Sequence, residues 1–286
     1  MQRKPDWLRV QLSDTKKYNS VNEVIKARRL NTVCEGANCP NRVTCYSQRT
    51  ATFLILGEQC TRNCRFCNIQ QGELPPPDLT EPERVAMGVK DLGLAHAVIT
   101  SVTRDDLDDG GAQVFAMTVK AIRLHSPSTI VELLIPDMQG NKGAIDCVMA
   151  TKPEVLNHNI ETVPRLYKEV RPEADYQQSL DLLSYVKSHY PETLTKSGLM
   201  LGLGESIDEV KSVMRDLRQA QVDFITIGQY LQPSKEHYEL VAYVTPEVFD
   251  SLAIYGKTIG FKGIASAPLV RSSYYAKELY EALKVK

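Results

Sequence analysis

From Ala51 onward the chain alternates short apolar runs with longer stretches of helical period, and few folds accommodate that alternation. Strands are predicted at Thr52–Leu56, Ala97–Ser101, Thr129–Ile135, Val155–Asn159, Lys196–Leu203 and Phe224–Tyr230. Helical patterns follow them around Glu83–Leu92, Ala112–His125, Gly143–Ala150, Asp175–Ser188, Ile207–Gln219 and Glu247–Ile259. Such β-then-α units in series predict a parallel sheet with right-handed crossovers. Six units are too few for a closed eight-stranded barrel, and nothing marks a reversal of strand order. The expected fold class is therefore α/β, a partial (β/α)6 TIM-like barrel with N-terminal and C-terminal extensions; a doubly wound sheet is the alternative. The expected boundaries are 1–50 for the first extension, 51–262 for the barrel and 263–286 for the second. Residues 1–50 read as polar and irregular, with one helix near Val21–Leu30. Pro75-Pro76-Pro77 reads as a rigid spacer before the first barrel helix.

Length and charge exclude several classes of function. The chain has 286 residues, 43% of them hydrophobic, enough for one substantial core. Lys and Arg number 34 against 35 Asp and Glu, which leaves no electrostatic footprint for nucleic acid or an anionic membrane. No apolar run approaches the roughly 18 residues of a spanning helix. Met1–Val10 lacks the apolar centre of a signal peptide, so the expected location is cytoplasmic.

Against that background the cysteines stand out, because six of the seven fall between Cys34 and Cys67. A reducing compartment argues against disulfides, and clustered reduced thiols bind metal. Cys60, Cys64 and Cys67 form a CxxxCxxC motif directly after the first strand of the barrel, where an α/β barrel places its chemistry. Three thiolates at this spacing hold three irons of a 4Fe–4S cluster and leave the fourth open to a small molecule. Three cysteines with no nearby fourth thiol or His make a poor closed zinc site. Cys34, Cys39 and Cys45 form a second triplet close before it, again with three ligands rather than four, and three thiols do not pair evenly into disulfides.

The CxxxCxxC motif, with Phe66 before its last cysteine, resembles that of the radical S-adenosylmethionine superfamily. The run from Cys34 to Cys45 resembles the auxiliary-cluster motif of lipoyl synthases, and Arg271-Ser272-Ser273-Tyr274 is similar to their RSSY motif. Val102–Ala112, Asn157–Thr162, Gly198–Glu205 and Ile227–Pro233 are similar to further segments of that family; Asp108 departs from it, where the pattern has Pro. The resemblance implies two 4Fe–4S clusters and S-adenosyl-L-methionine as cofactors. It implies that Cys60, Cys64 and Cys67 carry the radical-source cluster, whose electron cleaves the sulfonium to a 5′-deoxyadenosyl radical. It implies that Cys34, Cys39, Cys45 and a serine oxygen, Ser273 in preference to Ser272, carry a cluster dismantled as sulfur donor. The implied activity is that of a sulfurtransferase placing sulfur at carbons 6 and 8 of a protein-bound octanoyl-lysine. Implied partners are octanoylated lipoyl-carrier domains (2-oxoacid dehydrogenase acyltransferase subunits and the glycine cleavage H protein), a reduced ferredoxin or flavodoxin-type donor, and an iron–sulfur carrier. Enzymes of the biotin synthase kind share CxxxCxxC but lack the first triplet, and an electron carrier needs far less chain.

Polar residues after the strands are expected to face the barrel mouth: Thr103, Arg104, Asn159, Glu161, Arg171 and Gln229. Thr103, Asn159, Glu161 and Arg171 are the expected S-adenosylmethionine contacts, Glu161 for ribose hydroxyls or the ammonium and Arg171 for the carboxylate. Gly110-Gly111 reads as a turn opening a helix. None of the five histidines has ligand spacing. Cys147, alone among Ile145, Val148 and Met149, reads as a buried core thiol.

Overall fold

A computed structural model describes residues 3–9, 15–48, 50–274 and 276–282. The expectations for Met1–Val10 and for the extension 263–286 thus lie partly outside the described residues. The chain divides into two compact units, one within spans 10–62 and 68–155, the other within 1–9, 63–67 and 156–286.

In the first unit, Thr52–Ile55 (β1), His96–Ser101 (β2) and Ile130–Leu134 (β3) pair in parallel, β1 with β2 and β2 with β3. All four residues of β1 are buried, the pattern of a strand covered on both faces rather than one. Helices Glu81–Leu92 (α1), Ala112–His125 (α2) and Lys142–Met149 (α3) follow the three strands in turn. Val85, Val89, Phe115 and Ile122 of the first two helices are buried together with Phe53, Ile55, Ile99 and Leu133 of the strands. α1 ends at Gly93, whose φ of 61° is the left-handed cap that stops a helix where only glycine is unstrained. Gly110 and Gly111 also have positive φ, and Gly111 caps α2, the turn-and-helix start expected. A two-residue strand, Asn31–Thr32, adds antiparallel to β1.

Val155–Asn157 (β4) closes the first unit's span and opens the second's. In the second unit Leu194–Leu201 (β5) pairs in parallel with Phe224–Gln229 (β6), and β6 with Gly263–Ser266 (β7). Tyr176–His189 (α4), Ile207–Gln219 (α5) and Pro246–Thr258 (α6) alternate with these strands. Asp175 accepts from the Gln178 N–H at the start of α4, and Ser206 and Glu209 form a reciprocal capping box at the start of α5.

All six expected strand-then-helix units are present, and the α/β class with parallel strands in chain order is that of a partial barrel. Three expectations need correction. The N-terminal helix spans Thr15–Ala27 rather than Val21–Leu30. β7 lies outside the expected strands, because Gly-Ile-Ala-Ser is short and carries little apolar signal. Cys34 and Cys45 sit on short helices, Val33–Gly36 and Arg42–Ser47, rather than on loop. No described helix is long and apolar enough to cross a membrane.

Candidate metal centre and cofactor site

Cys34, Cys39 and Cys45 are gathered in the first unit by two short helices. Thr32 caps the first, its side chain accepting from the Glu35 N–H at 3.3 Å. Cys39 follows, its N–H donating to the Cys34 carbonyl at 3.2 Å, and the Cys45 N–H bonds back to Asn41 at 2.8 Å. The three thiols feel one another's charge. Burial pushes the Cys34 thiol up to about 11, with repulsion from Cys39 adding to it. Burial pushes Cys45 up to about 12, and both Cys34 and Cys39 raise it further. Beneath them the buried Tyr46 hydroxyl and Thr32 Oγ1 share a hydrogen bond of 2.8 Å, and Tyr18 stacks on the Tyr46 ring at 5.5 Å. Cys34 and Cys45, thiols that resist ionising until positive charge arrives, make with Cys39 the donor set an iron–sulfur core requires. Among the described residues no three His, Cys, Asp or Glu side chains are grouped to grip one ion.

Cys60 stands in the same unit at the end of a two-residue strand, Gln59–Cys60, paired with Gln70–Gln71. Its sulfur accepts from the N–H of Thr103 at 3.2 Å and of Arg62 at 3.4 Å. The Thr61 N–H and hydroxyl both donate to the Thr103 carbonyl, at 3.1 and 3.0 Å. Thr103 thus holds the cysteine loop through its backbone. The buried Arg62 side chain bonds both Asp105 and Asp137. No local spacing in the sequence signals this group, whose members are far apart along the chain.

Cys64 and Cys67 belong to the second unit, where a turn from the Cys67 N–H to the Cys64 carbonyl (2.9 Å) sets their spacing. Around that turn the Arg65 N–H donates to Val170, the Tyr238 N–H donates to Arg65, and the Arg65 guanidinium lies over the Tyr238 ring. His237 Nε2 donates to the Cys67 carbonyl at 3.1 Å while Nδ1 meets Ser234 Oγ at 2.8 Å. His237, which lacks metal-ligand spacing in the sequence, here holds a main chain.

The same unit brings Asn159, Glu161 and Arg171 together. Glu161 has a φ of 64°, costly for a side-chain-bearing residue, and is held there by a bridge to Leu199 with N–H to Gly198 and carbonyl from Met200, each 2.9 Å. Asn159 Nδ2 donates to Glu161 Oε1 at 2.9 Å. Arg171 Nη1 donates to the carbonyls of Asn159 (3.0 Å) and Ile160 (3.1 Å). Burial raises the Glu161 carboxyl above its usual range, against the pull of Arg171 and the Asn159 amide. Asn159 Oδ1 is buried with no partner among the described residues, an acceptor placed for a ligand's ammonium or hydroxyl. Only glycine fits at Gly198 beside it, because a Cβ there would meet Asn159 Oδ1 at 2.9 Å and Thr226 Oγ1 at 2.6 Å. Ser273 lies half-buried in a turn closed by the Tyr274 N–H on Arg271 (2.9 Å), and the Val270 carbonyl before it presses on Gly228 of β6.

Two further polar side chains are engaged within the protein, and one expectation is corrected. The buried Arg104 side chain chelates Asp106 at 2.7 Å. Gln229 is consumed by the backbone, Nε2 donating to Leu201, Tyr230 and Ala242 and Oε1 accepting from Val244. Cys147 is not a core thiol: it is partly exposed and faces Gln113 Oε1 at 3.6 Å.

Residues 54–217 match the radical SAM superfamily. A lipoyl synthase of Alkaliphilus metalliredigens is 55% identical over 98% of this chain and 97% of its own length. One from Caldanaerobacter subterraneus subsp. tengcongensis is 54% identical over 96% of each. Among solved structures, SuiB of Streptococcus suis, crystallised with S-adenosylmethionine, superposes with a TM-score of 0.59 at 11% identity, over 74% of this chain and 49% of that one; this similarity speaks for the fold alone. By the superfamily match and by the near full-length identity, the chain belongs to the lipoyl synthase family of radical SAM enzymes.

Proposed function

We propose that the protein inserts two sulfur atoms, at carbons 6 and 8, into an octanoyl group held on a lysine of a carrier protein. Membership of the superfamily brings with it a 4Fe–4S cluster and S-adenosyl-L-methionine. The observation that carries the fuller reading is the second triplet: Cys34, Cys39 and Cys45 gathered in one unit, with the Cys34 and Cys45 thiols raised by burial and by their neighbours.

When bound at Cys60, Cys64 and Cys67, the radical-source cluster supplies the electron that cleaves S-adenosylmethionine and so gives access to unactivated C–H bonds. The protein's own groups then have separable tasks. The Thr103 N–H fixes the Cys60 sulfur. Asn159 Oδ1 and the Glu161 carboxylate take the ammonium or ribose hydroxyls of the cofactor, and Arg171 locks their loop through its carbonyl bonds. Ser273 supplies the fourth ligand of the sulfur-donating cluster, a harder oxygen beside three thiolates and hence the ligand most easily released. On this reading residues 1–50 and 263–286 are extensions that bring sulfur-donor ligands to a barrel over 51–262.

As a lipoyl synthase it acts on lipoyl-carrier proteins and needs a reductant. We assign as carriers the acyltransferase subunits of 2-oxoacid dehydrogenases and the glycine cleavage H protein. A ferredoxin or flavodoxin serves as reductant, an iron–sulfur carrier rebuilds the spent cluster, and a reducing cytoplasm keeps the thiols ligating. The test is anaerobic incubation of the reconstituted, reduced protein with S-adenosylmethionine and an octanoyl-lysine peptide, followed by mass spectrometry. The expected products are 5′-deoxyadenosine together with mono-thiolated and lipoyl peptide; cofactor cleavage with the peptide unchanged overturns the sulfur-insertion reading.

A further inference from the structure

Between Cys60 and Cys64 the sequence places an arginine that no assigned role uses, and its side chain is nearly fully buried, at 6% exposure. Its guanidinium makes two bidentate pairs. Nε and Nη2 bond Asp105 at 2.6 and 2.9 Å, and Nη1 and Nη2 bond Asp137 at 2.8 and 2.7 Å. Asp105 follows β2 and Asp137 follows β3, so one side chain ties the cysteine loop to the ends of two strands. Each anchor is fixed in turn. The Asp105 N–H donates to Thr61 Oγ1 at 3.1 Å, the hydroxyl that donates to Thr103 beside the Cys60 sulfur. Asp137 accepts from the Gln139 N–H at 3.0 Å and caps a short turn in which Met138 and Gln139 have φ of 48° and 50°. Two non-glycine residues in the left-handed region cost free energy that the neighbouring bonds offset.

A lysine could not do the same work. It is a point charge on a flexible stem, without the planar fork that meets two carboxylates at once. The Arg62 N–H is itself one of the two donors to the Cys60 sulfur, so where the side chain is anchored decides where that donor sits.

We infer that Arg62, clamped by Asp105 and Asp137, is a positioning residue that fixes the Cys60 thiolate and its two N–H donors, and through them the electronic state of the radical-source cluster. The inference rests on the reading of CxxxCxxC as that cluster's loop. Hydrogen bonds to ligand sulfurs set the properties of such clusters, and loss of outer supports of this kind lowers activity or affinity roughly tenfold to a hundredfold.

The experiment compares the full-length wild type with Arg62→Lys and Asp105→Asn after anaerobic reconstitution. The readouts are iron content, thermal midpoint, the electron paramagnetic resonance spectrum of the reduced cluster, and kcat and KM for S-adenosylmethionine cleavage. Arg62→Lys is expected to load iron as the wild type does and to show an altered spectrum. Its kcat should fall about tenfold or more while KM moves by less than about threefold. Asp105→Asn, which leaves the Asp137 pair intact, should show the same changes at smaller size, and it decides the matter if Arg62→Lys does not load. A rate that falls only in proportion to lost iron or lost folded protein, with an unchanged spectrum, means a merely structural ion pair and overturns the inference. A wild type that loads and cleaves, beside variants equal to it in rate and spectrum, overturns the clamp alone; a wild type that takes up no cluster overturns the reading of the loop as well.

Discussion

Cys34 and Cys45 are thiols pushed up to about 11 and about 12 by burial and by their neighbours' charge, held on two short helices. Cys60, by contrast, accepts two backbone N–H groups and is followed by an arginine clamped to two carboxylates. In the first arrangement burial outweighs the hydrogen bonds that Thr52 and Thr50 offer the thiols, leaving them in need of an external positive charge; in the second, two N–H groups and a clamped arginine fix the cysteine. A cluster meant to be taken apart suits the first kind of support, and a cluster meant to cycle electrons unchanged suits the second. The two triplets thus differ in the way their proposed tasks differ.

The most severe way to break this comparison is to remove one cysteine from each triplet. Cys64→Ala should abolish reductive cleavage of S-adenosylmethionine and all product with it. Cys39→Ala should leave cleavage measurable while lipoyl formation stops. Equal behaviour of the two in the cleavage assay would erase the division of labour.

A finer cut falls on Ser273. With sulfur replacing the harder oxygen, Ser273→Cys should keep the donor cluster assembled but slow single-turnover formation of lipoyl product by about tenfold or more. Ser273→Ala should also lower it. Wild-type rates for both would remove Ser273 from the ligand set.

Much of the fold is legible in the amino-acid sequence. The six strand-then-helix units follow from period, since apolar runs of four to eight residues and helical stretches differ in repeat. β7 does not, because Gly263–Ser266 has one large apolar residue. The helices at Cys34 and Cys45 escape for a related reason: each is too short for a periodic signal, and Val33–Gly36 is set by the Thr32 cap. The cysteines themselves are visible through local spacing. Arg62, Asp105 and Asp137 are not, because 43 and 75 residues separate the arginine from its two partners. Arg104 follows a strand and Gln229 ends one, which suggests that they face a ligand, yet their side chains are committed to Asp106 and to backbone carbonyls. Position after a strand suggests a site; it does not say whether the protein has already claimed the side chain.

The pH dependence of the cluster-free protein sharpens the comparison from the side of the thiols. A thiol raised in the folded state contributes stability that is complete below the unfolded value near 9 and is lost as pH climbs through the folded value. For Cys34 alone the loss amounts to about 2–3 kcal/mol between pH 9 and about 11. Denaturant titrations of wild type and Cys34→Ala across that range should converge at high pH; parallel curves would show that Cys34 is not held protonated by the fold. A smaller effect is expected at the Thr32–Tyr46 bond under the same triplet. Tyr46→Phe removes a buried hydrogen bond of 2.8 Å and should cost about 1 kcal/mol in denaturant unfolding, with a matching drop in iron retained at Cys34, Cys39 and Cys45 but none at the other triplet.

The measurement closest to the central claim is iron and sulfide counting after anaerobic reconstitution of two proteins, the wild type and a variant with Cys60, Cys64 and Cys67 all changed to Ala. Two independent clusters require about eight irons in the first and about four in the second, with the remaining four still showing a 4Fe–4S spectrum. A wild type that stops at about four irons, or a triple variant that retains none, would contradict the account.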